Sequence, residues 1–142
     1  MECFDGNEWS QIPALHHARA WHTSVSHNDR LYVCGGESAP AAIEVFNGDV
    51  WSIVNISVKA GCLFFSRMIS FSENEILIIG GKTSQQVSYT NDIYIFVPET
   101  GRFKTIASLP TKSNFIADAH LSPSKGLLSI LTVESPYLLN LN

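Results

Sequence analysis

The chain has 142 residues, 45% of them hydrophobic and 15% charged, which fits one folded domain and excludes a disordered or low-complexity chain. Nine Lys and Arg against 13 Asp and Glu give a net charge of −4, so the chain lacks the basic surface that nucleic acid or an anionic membrane would need. No apolar run reaches the roughly 18 residues of a membrane span; Met1–Ser10, with Glu2, Asp5 and Glu8, is not patterned as a secretion signal, and the chain is expected in the cytoplasm.

In chain order, alternating apolar residues and turn dipeptides predict 13 strands. Glu2–Phe4 and Trp9–Ile12 flank Asp5-Gly6. Trp21–His27 and Arg30–Cys34 meet at Asn28-Asp29, and Ile43–Phe46 and Val50–Val54 meet at Asn47-Gly48. Arg67–Phe71 and Glu75–Ile79 turn at Ser72–Asn74; Ile93–Val97 and Arg102–Ala107 follow. Phe115–Leu121, Leu127–Val133 and Tyr137–Leu141 complete the series. Asn-Gly is the preferred pair where both central residues need φ > 0, so Asn47-Gly48 predicts a tight hairpin. No segment shows a sustained helical period. Ile12–Arg19 comes nearest, but it contains Pro13 and lacks an apolar stripe.

The strands repeat. Phe4 to Phe46 and Trp9 to Trp51 are each 42 residues, Phe46 to Phe96 is 50, and Trp51 to Phe103 is 52. The two extra residues fall in a turn, where Pro98–Gly101 replaces Asn47-Gly48. Gly35-Gly36 recurs as Gly80-Gly81, 45 residues on. Periods of 40 to 50 with four strands each indicate propeller blades, not helical solenoids. Each glycine pair ends an apolar strand, where a missing Cβ lets another backbone approach; this predicts Gly35, Gly36, Gly80 and Gly81 at the crowded inner part of the ring. Trp9, Trp51 and Phe103, each on an outer strand, are expected to bury their rings between neighbouring sheets.

These residues resemble the kelch repeat. Ala18–Gly36 has an Arg and a His before the first strand, a short polar turn, an apolar strand and Gly-Gly. Asn91–Phe96, a turn and Phe103 are similar to the second half of such a repeat. At an offset of 45, Phe64 stands where Arg19 would repeat and Arg67 where His22 would; Leu131-Thr132 replace the last glycine pair. The resemblance implies an all-β chain of kelch-type β-propeller blades, about three four-stranded antiparallel sheets forming an incomplete or open propeller. Its units are 1–13, the outer strands of a partial blade, 18–54 and 64–107, each a blade, and 114–142, a degenerate partial blade. Closed propellers need at least four blades, so closure calls for further repeats or another chain.

The resemblance implies binding of protein partners through loops on one face, and many kelch proteins present substrates to ubiquitin ligases. The loop residues expected on that face are Arg19, Glu37, Lys82, Gln85, Gln86 and Tyr89, since rigid scaffolds place recognition in loops. The loop after Gly81 is longer than the one after Gly36. A rival is an enzyme on the same scaffold, a sugar oxidase or sugar epimerase; another is a truncated remnant without activity. No Gly-x-Ser-x-Gly or phosphate-binding Gly-x-x-x-x-Gly-Lys occurs, and no Tyr/Cys/His set matches the copper site of the kelch-type sugar oxidases. An enzyme is therefore not expected, nor a cofactor. Cys3, Cys34 and Cys62 are odd in number and lack zinc-ligand spacing. His16, His17, His22 and His27 lack the convergent carboxylates and thiols of a metal site. The cysteines read as reduced thiols and the histidines as surface or loop residues.

Overall fold

A computed structural model describes residues 1–37, 42–54, 56, 63, 65–83, 88–110, 116–122, 126–132 and 136–141. These residues contain no helix. Their strands are β1 (Glu2–Phe4), β2 (Trp9–Gln11), β3 (Thr23–His27), β4 (Arg30–Cys34), β5 (Ile43–Phe46), β6 (Trp51–Val54), β7 (Arg67–Ser72), β8 (Glu75–Thr83), β9 (Ser88–Val97), β10 (Arg102–Ser108), β11 (Ile116–Ser122), β12 (Leu127–Thr132) and β13 (Pro136–Asn140). All pairings are antiparallel meanders. They give a β1–β2 hairpin, a first blade β3–β6, a second blade β7–β10 and a three-stranded sheet β11–β13. The array is open: among the described residues, no strand of the last sheet pairs with one of the first. It is an incomplete β-propeller of the expected kind.

Alternation sets what each blade buries. On β4 and β5, Tyr32, Cys34 and Ile43 point at the second blade and meet Met68, Ile76, Ile78, Phe96 and Phe103. On the other face of the second blade, Leu77, Ile79 and Ile93 meet Ile116, Leu128 and Ile130 of the third sheet. The central strand β8 is thus apolar on both faces, and Ile76–Ile79 are fully buried. Each fully buried aliphatic side chain is worth about 1.5–3 kcal/mol, so these two seams dominate cohesion.

The innermost strands are joined by a polar ladder. The Phe65 amide donates to the Trp21 carbonyl (3.3 Å), and the Ile116 amide to the Phe65 carbonyl (3.3 Å). Further down, the Met68 amide donates to Thr23 Oγ1 (3.0 Å), His27 Nδ1 meets Ser70 Oγ (2.8 Å), and Asn28 Nδ2 donates to the Glu73 carbonyl (2.7 Å).

Several expectations need correction. Trp51 and Phe103 are buried, but Trp9 is 68% exposed. It sits on a two-stranded hairpin, and among the described residues no sheet lies over its ring, which rests only on Phe4. The glycine pairs are not nearest the axis; they lie at the end of β4 and within β8, one strand out. The crowding comes from the chain crossing to the next blade. A Cβ on Gly35 would overlap the Leu63 carbonyl oxygen, and one on Gly36 would sit 2.7 Å from the Ala20 carbonyl oxygen. Thr23 pairs with Cys34 and Arg67 with Ile79, so the inner strands repeat at 44 residues, not 45. Arg19 therefore corresponds to Leu63, and Thr23, not His22, to Arg67. A register shift between Ser70 and Ser72 restores 45 before the glycine pair. Phe64 lies outside the described residues.

Turn chemistry also differs. Asn28 and Asp29 both have positive φ (49° and 56°), the two-residue hairpin geometry. At the second turn Phe46 pairs with Trp51, leaving a four-residue loop in which Gly48 alone has positive φ. Asn47 Oδ1 caps that loop, accepting from the Asp49 and Val50 amides at 3.0 Å each.

Candidate functional site

The strand directions give the array two ends. At the connector end lie the crossings between blades and the β4–β5 and β8–β9 loops. At the turn end lie Asn28-Asp29, Asn47–Val50, Glu73-Asn74 and Pro98–Gly101. Glu37, Lys82 and Tyr89 are at the connector end; Gln85 and Gln86 lie outside the described residues. Glu37 is exposed and tied by its amide to the Ala20 carbonyl (2.8 Å). Strands β8 and β9 run past the sheet as a two-stranded ribbon through Thr83 and Ser88. Across its base, the Lys82 ammonium stands 5.9 Å from the centre of the Tyr89 ring. That cation–π contact stiffens the ribbon where it leaves the blade.

Arg19 is not on this surface. Its side chain is fully buried; Nη1 donates to the Gly35 carbonyl (2.8 Å) and Nη2 to Glu44 Oε1 (2.6 Å). Glu44 is fully buried too, and it also accepts from the His16 amide (2.6 Å), the His17 amide (3.2 Å) and His17 Nδ1 (3.2 Å). Burial alone would raise the Glu44 carboxyl, but the His16 amide, the Arg19 guanidinium and His17 together hold it below the usual carboxylate range. This cluster straps residues 16–19 across the first blade. It is a structural device that occupies Arg19 and two of the four clustered histidines. His16 also bonds the Trp51 carbonyl through Nε2 (3.0 Å). Among the described residues, no three His, Cys, Asp or Glu side chains converge as a metal set would require.

The connector end holds an unforeseen feature beside the axis. Trp21 is 59% exposed, and its ring lies 5.4 Å from that of Phe65. Both have positive φ, 54° and 58°. Left-handed backbone costs a bulky residue about 1–2 kcal/mol, and such outliers concentrate where function holds them. The two rings, with His22, Ser66, Arg67 and Ile116, line a cavity of about 180 Å³. Ile116 supplies an apolar floor. Arg67 Nε donates to the Ala117 carbonyl (3.1 Å), and its Nη2 meets the same oxygen, which fixes the guanidinium beside the cavity. Burial and then the Arg19 charge lower the His22 imidazole below its ordinary value, so it stays neutral near pH 7. A 45-residue offset hides the correspondence of Trp21 and Phe65; at the 44-residue period of the inner strands they superpose.

Residues 70–110, from within β7 to just past β10, match the family model of the kelch motif. No curated protein matches the chain.

Proposed function

We infer, from the kelch repeat this chain carries, that it is a protein-interaction module whose contact surface is the connector end. Kelch repeats serve generally as such modules. The observation that supports the placement is the exposed Trp21 ring against half-buried Phe65, both held in costly backbone geometry above an apolar floor. Aromatic anchors beside a fixed Arg are the side chains that dominate binding energy at interfaces. Tyr89, Lys82 and Glu37 extend the surface outward along the ribbon and the neighbouring loop. Substrate recognition for a ubiquitin ligase adaptor is the finer reading, supported by the family resemblance. A cytoplasmic location accords with the unbridged Cys3.

The test is capture of partners by the intact chain and by Trp21→Asn, which removes the ring yet suits positive φ. A partner retained by the wild type, lost with Trp21→Asn and Tyr89→Ala, and kept by Glu2→Gln on the remote hairpin supports the reading. Partners indifferent to Trp21 and Tyr89 would refute the placement. Slower turnover of the captured partner in cells lacking this chain would support the ligase role; unchanged turnover would remove it.

A further inference from the structure

The opposite end carries a second concavity. Between the first two blades, at the turn end, His27, Arg30, Tyr32, Val45, Val54, Glu73 and Glu99 line a cleft of about 250 Å³. Its position follows from the fold. His27, Arg30 and Tyr32 lie on the face of β3 and β4 that looks toward the second blade, since His27 pairs with Arg30 and Val25 with Tyr32. Glu73 sits in the β7–β8 turn and Glu99 in the β9–β10 turn of the facing blade.

Three observations make this cleft more than a packing gap. The first is a pair of unpartnered polar atoms that open into the cleft from largely buried side chains. Tyr32 is 3% exposed and His27 4%, and both line the cleft. His27 Nδ1 is taken by Ser70, while among the described residues neither His27 Nε2 nor the Tyr32 hydroxyl has a hydrogen-bond partner. Among the described residues Arg19 Nε is the sole fully enclosed side-chain polar atom without a partner, so these two atoms, carried by otherwise buried side chains, open into the cleft and are free to meet a ligand there.

The second is a departure from the repeat. At the same point of the next blade, Leu77 stands for Tyr32, and it is fully buried among aliphatic residues. A blade seam needs an apolar residue there. The hydroxyl of Tyr32 adds nothing to the seam, although its ring still packs edge-on to Phe96 at 6.3 Å.

The third is charge. Arg30 stands on one wall, and Glu73 and Glu99 on the other. Among the described residues none of the three forms an ion pair; those present are Arg19 and His17 with Glu44. Opposite charges that share a cleft without closing on each other can be bridged by a molecule bearing both signs.

We propose that this cleft is a second binding site, which takes a small aliphatic zwitterion of the free α-amino acid class. Arg30 receives the carboxylate, and Glu73 and Glu99 receive the ammonium. The aliphatic branch lies on Val45 and Val54. The Tyr32 hydroxyl and His27 Nε2 hydrogen-bond the carboxylate at the buried end. The volume sits below the range for drug-sized ligands, which sets the size class.

The probe is L-leucine, titrated into the isotopically labelled intact chain and followed by amide NMR. Saturable shifts at His27, Tyr32 and Val54, with a Kd of about 1 mM, are expected. Arg30→Ala and Tyr32→Phe should each weaken binding by about tenfold, as should removing either charge from the ligand, in isoamylamine or 4-methylvalerate. Arg30 is exposed, so its replacement leaves the fold intact and the comparison valid. Absence of saturation, shifts scattered away from the cleft, or equal binding of leucine to Arg30→Ala would overturn the proposal. Isoamylamine binding as tightly as leucine would overturn the zwitterion class and leave a cation site.

Discussion

The hairpins β1–β2 and β5–β6 share a local design and differ in what covers them. In one, Phe4 pairs with Trp9 around Asp5–Glu8; in the other, Phe46 pairs with Trp51 around Asn47–Val50. Their ring centroids are 5.3 and 5.1 Å apart. Gly6 and Gly48 have the same φ of 105°. Asp5 and Asn47 cap their loops through the same pair of amide bonds. Yet Trp9 is 68% exposed and Trp51 only 5%. Above Trp51, Pro13 accepts the indole Nε1–H (3.0 Å), and the Glu44 cluster pins the strap that follows. Local chemistry thus makes the hairpin, and long-range cover decides whether the tryptophan stabilises the molecule.

Removing that cover or its target should have the largest effect. Trp51→Ala is expected to cost about 3–5 kcal/mol in denaturant unfolding, through lost burial and an empty cavity. Glu44→Gln should cost about as much, since it leaves the Arg19 charge buried and unpaired; it should also free residues 16–19 and expose Trp51. Acid offers the same test without mutation. The folded carboxyl titrates below its ordinary 4.5, so its contribution is complete above that value and is lost as pH falls through the lowered one. A red shift of tryptophan emission below about pH 4.5 is expected, and Glu44→Gln should abolish it. Trp9 and Trp21 already face solvent, so they contribute little to such a shift.

Smaller effects isolate the turn. Neither Gly6 nor Gly48 has an atom within 4 Å of an added Cβ, so alanine there costs only backbone strain. Gly48→Ala should destabilise by about 1 kcal/mol. Gly6→Ala should leave the global melt unchanged and raise amide exchange in β1–β2 alone, because that hairpin is not part of the two buried seams. Trp9→Ala should be smallest, within about 0.5 kcal/mol. A large loss from Trp9→Ala would mean that its hairpin is covered in solution.

The strands were readable because alternation and repetition reinforce each other: β4, β5 and their counterparts announce themselves twice. The seams followed from the same alternation. The Arg19–Glu44 pair did not, although a Glu between Ile43 and Val45 on a central strand was an available signal. Its burial depends on a strap some 25 residues upstream in sequence folding over that face. Trp21 and Phe65 were obscured by a single-residue bulge near Phe71, which shifts the period inside one strand pair. Positive φ at Asn28 and Asp29 rather than at Asn47 reflects loop length, which pairing register sets and dipeptide identity does not.

The ladder linking Trp21, Phe65 and Ile116 is made of peptide groups alone. At Trp21 and Phe65 these rungs are peptide hydrogen bonds that do not depend on which ring each position carries, whereas the Ile116 side chain is fixed by its place in the second seam. Substitution can rewrite what the rim recognises, one blade at a time, while the peptide relay beneath preserves the pitch of the assembly.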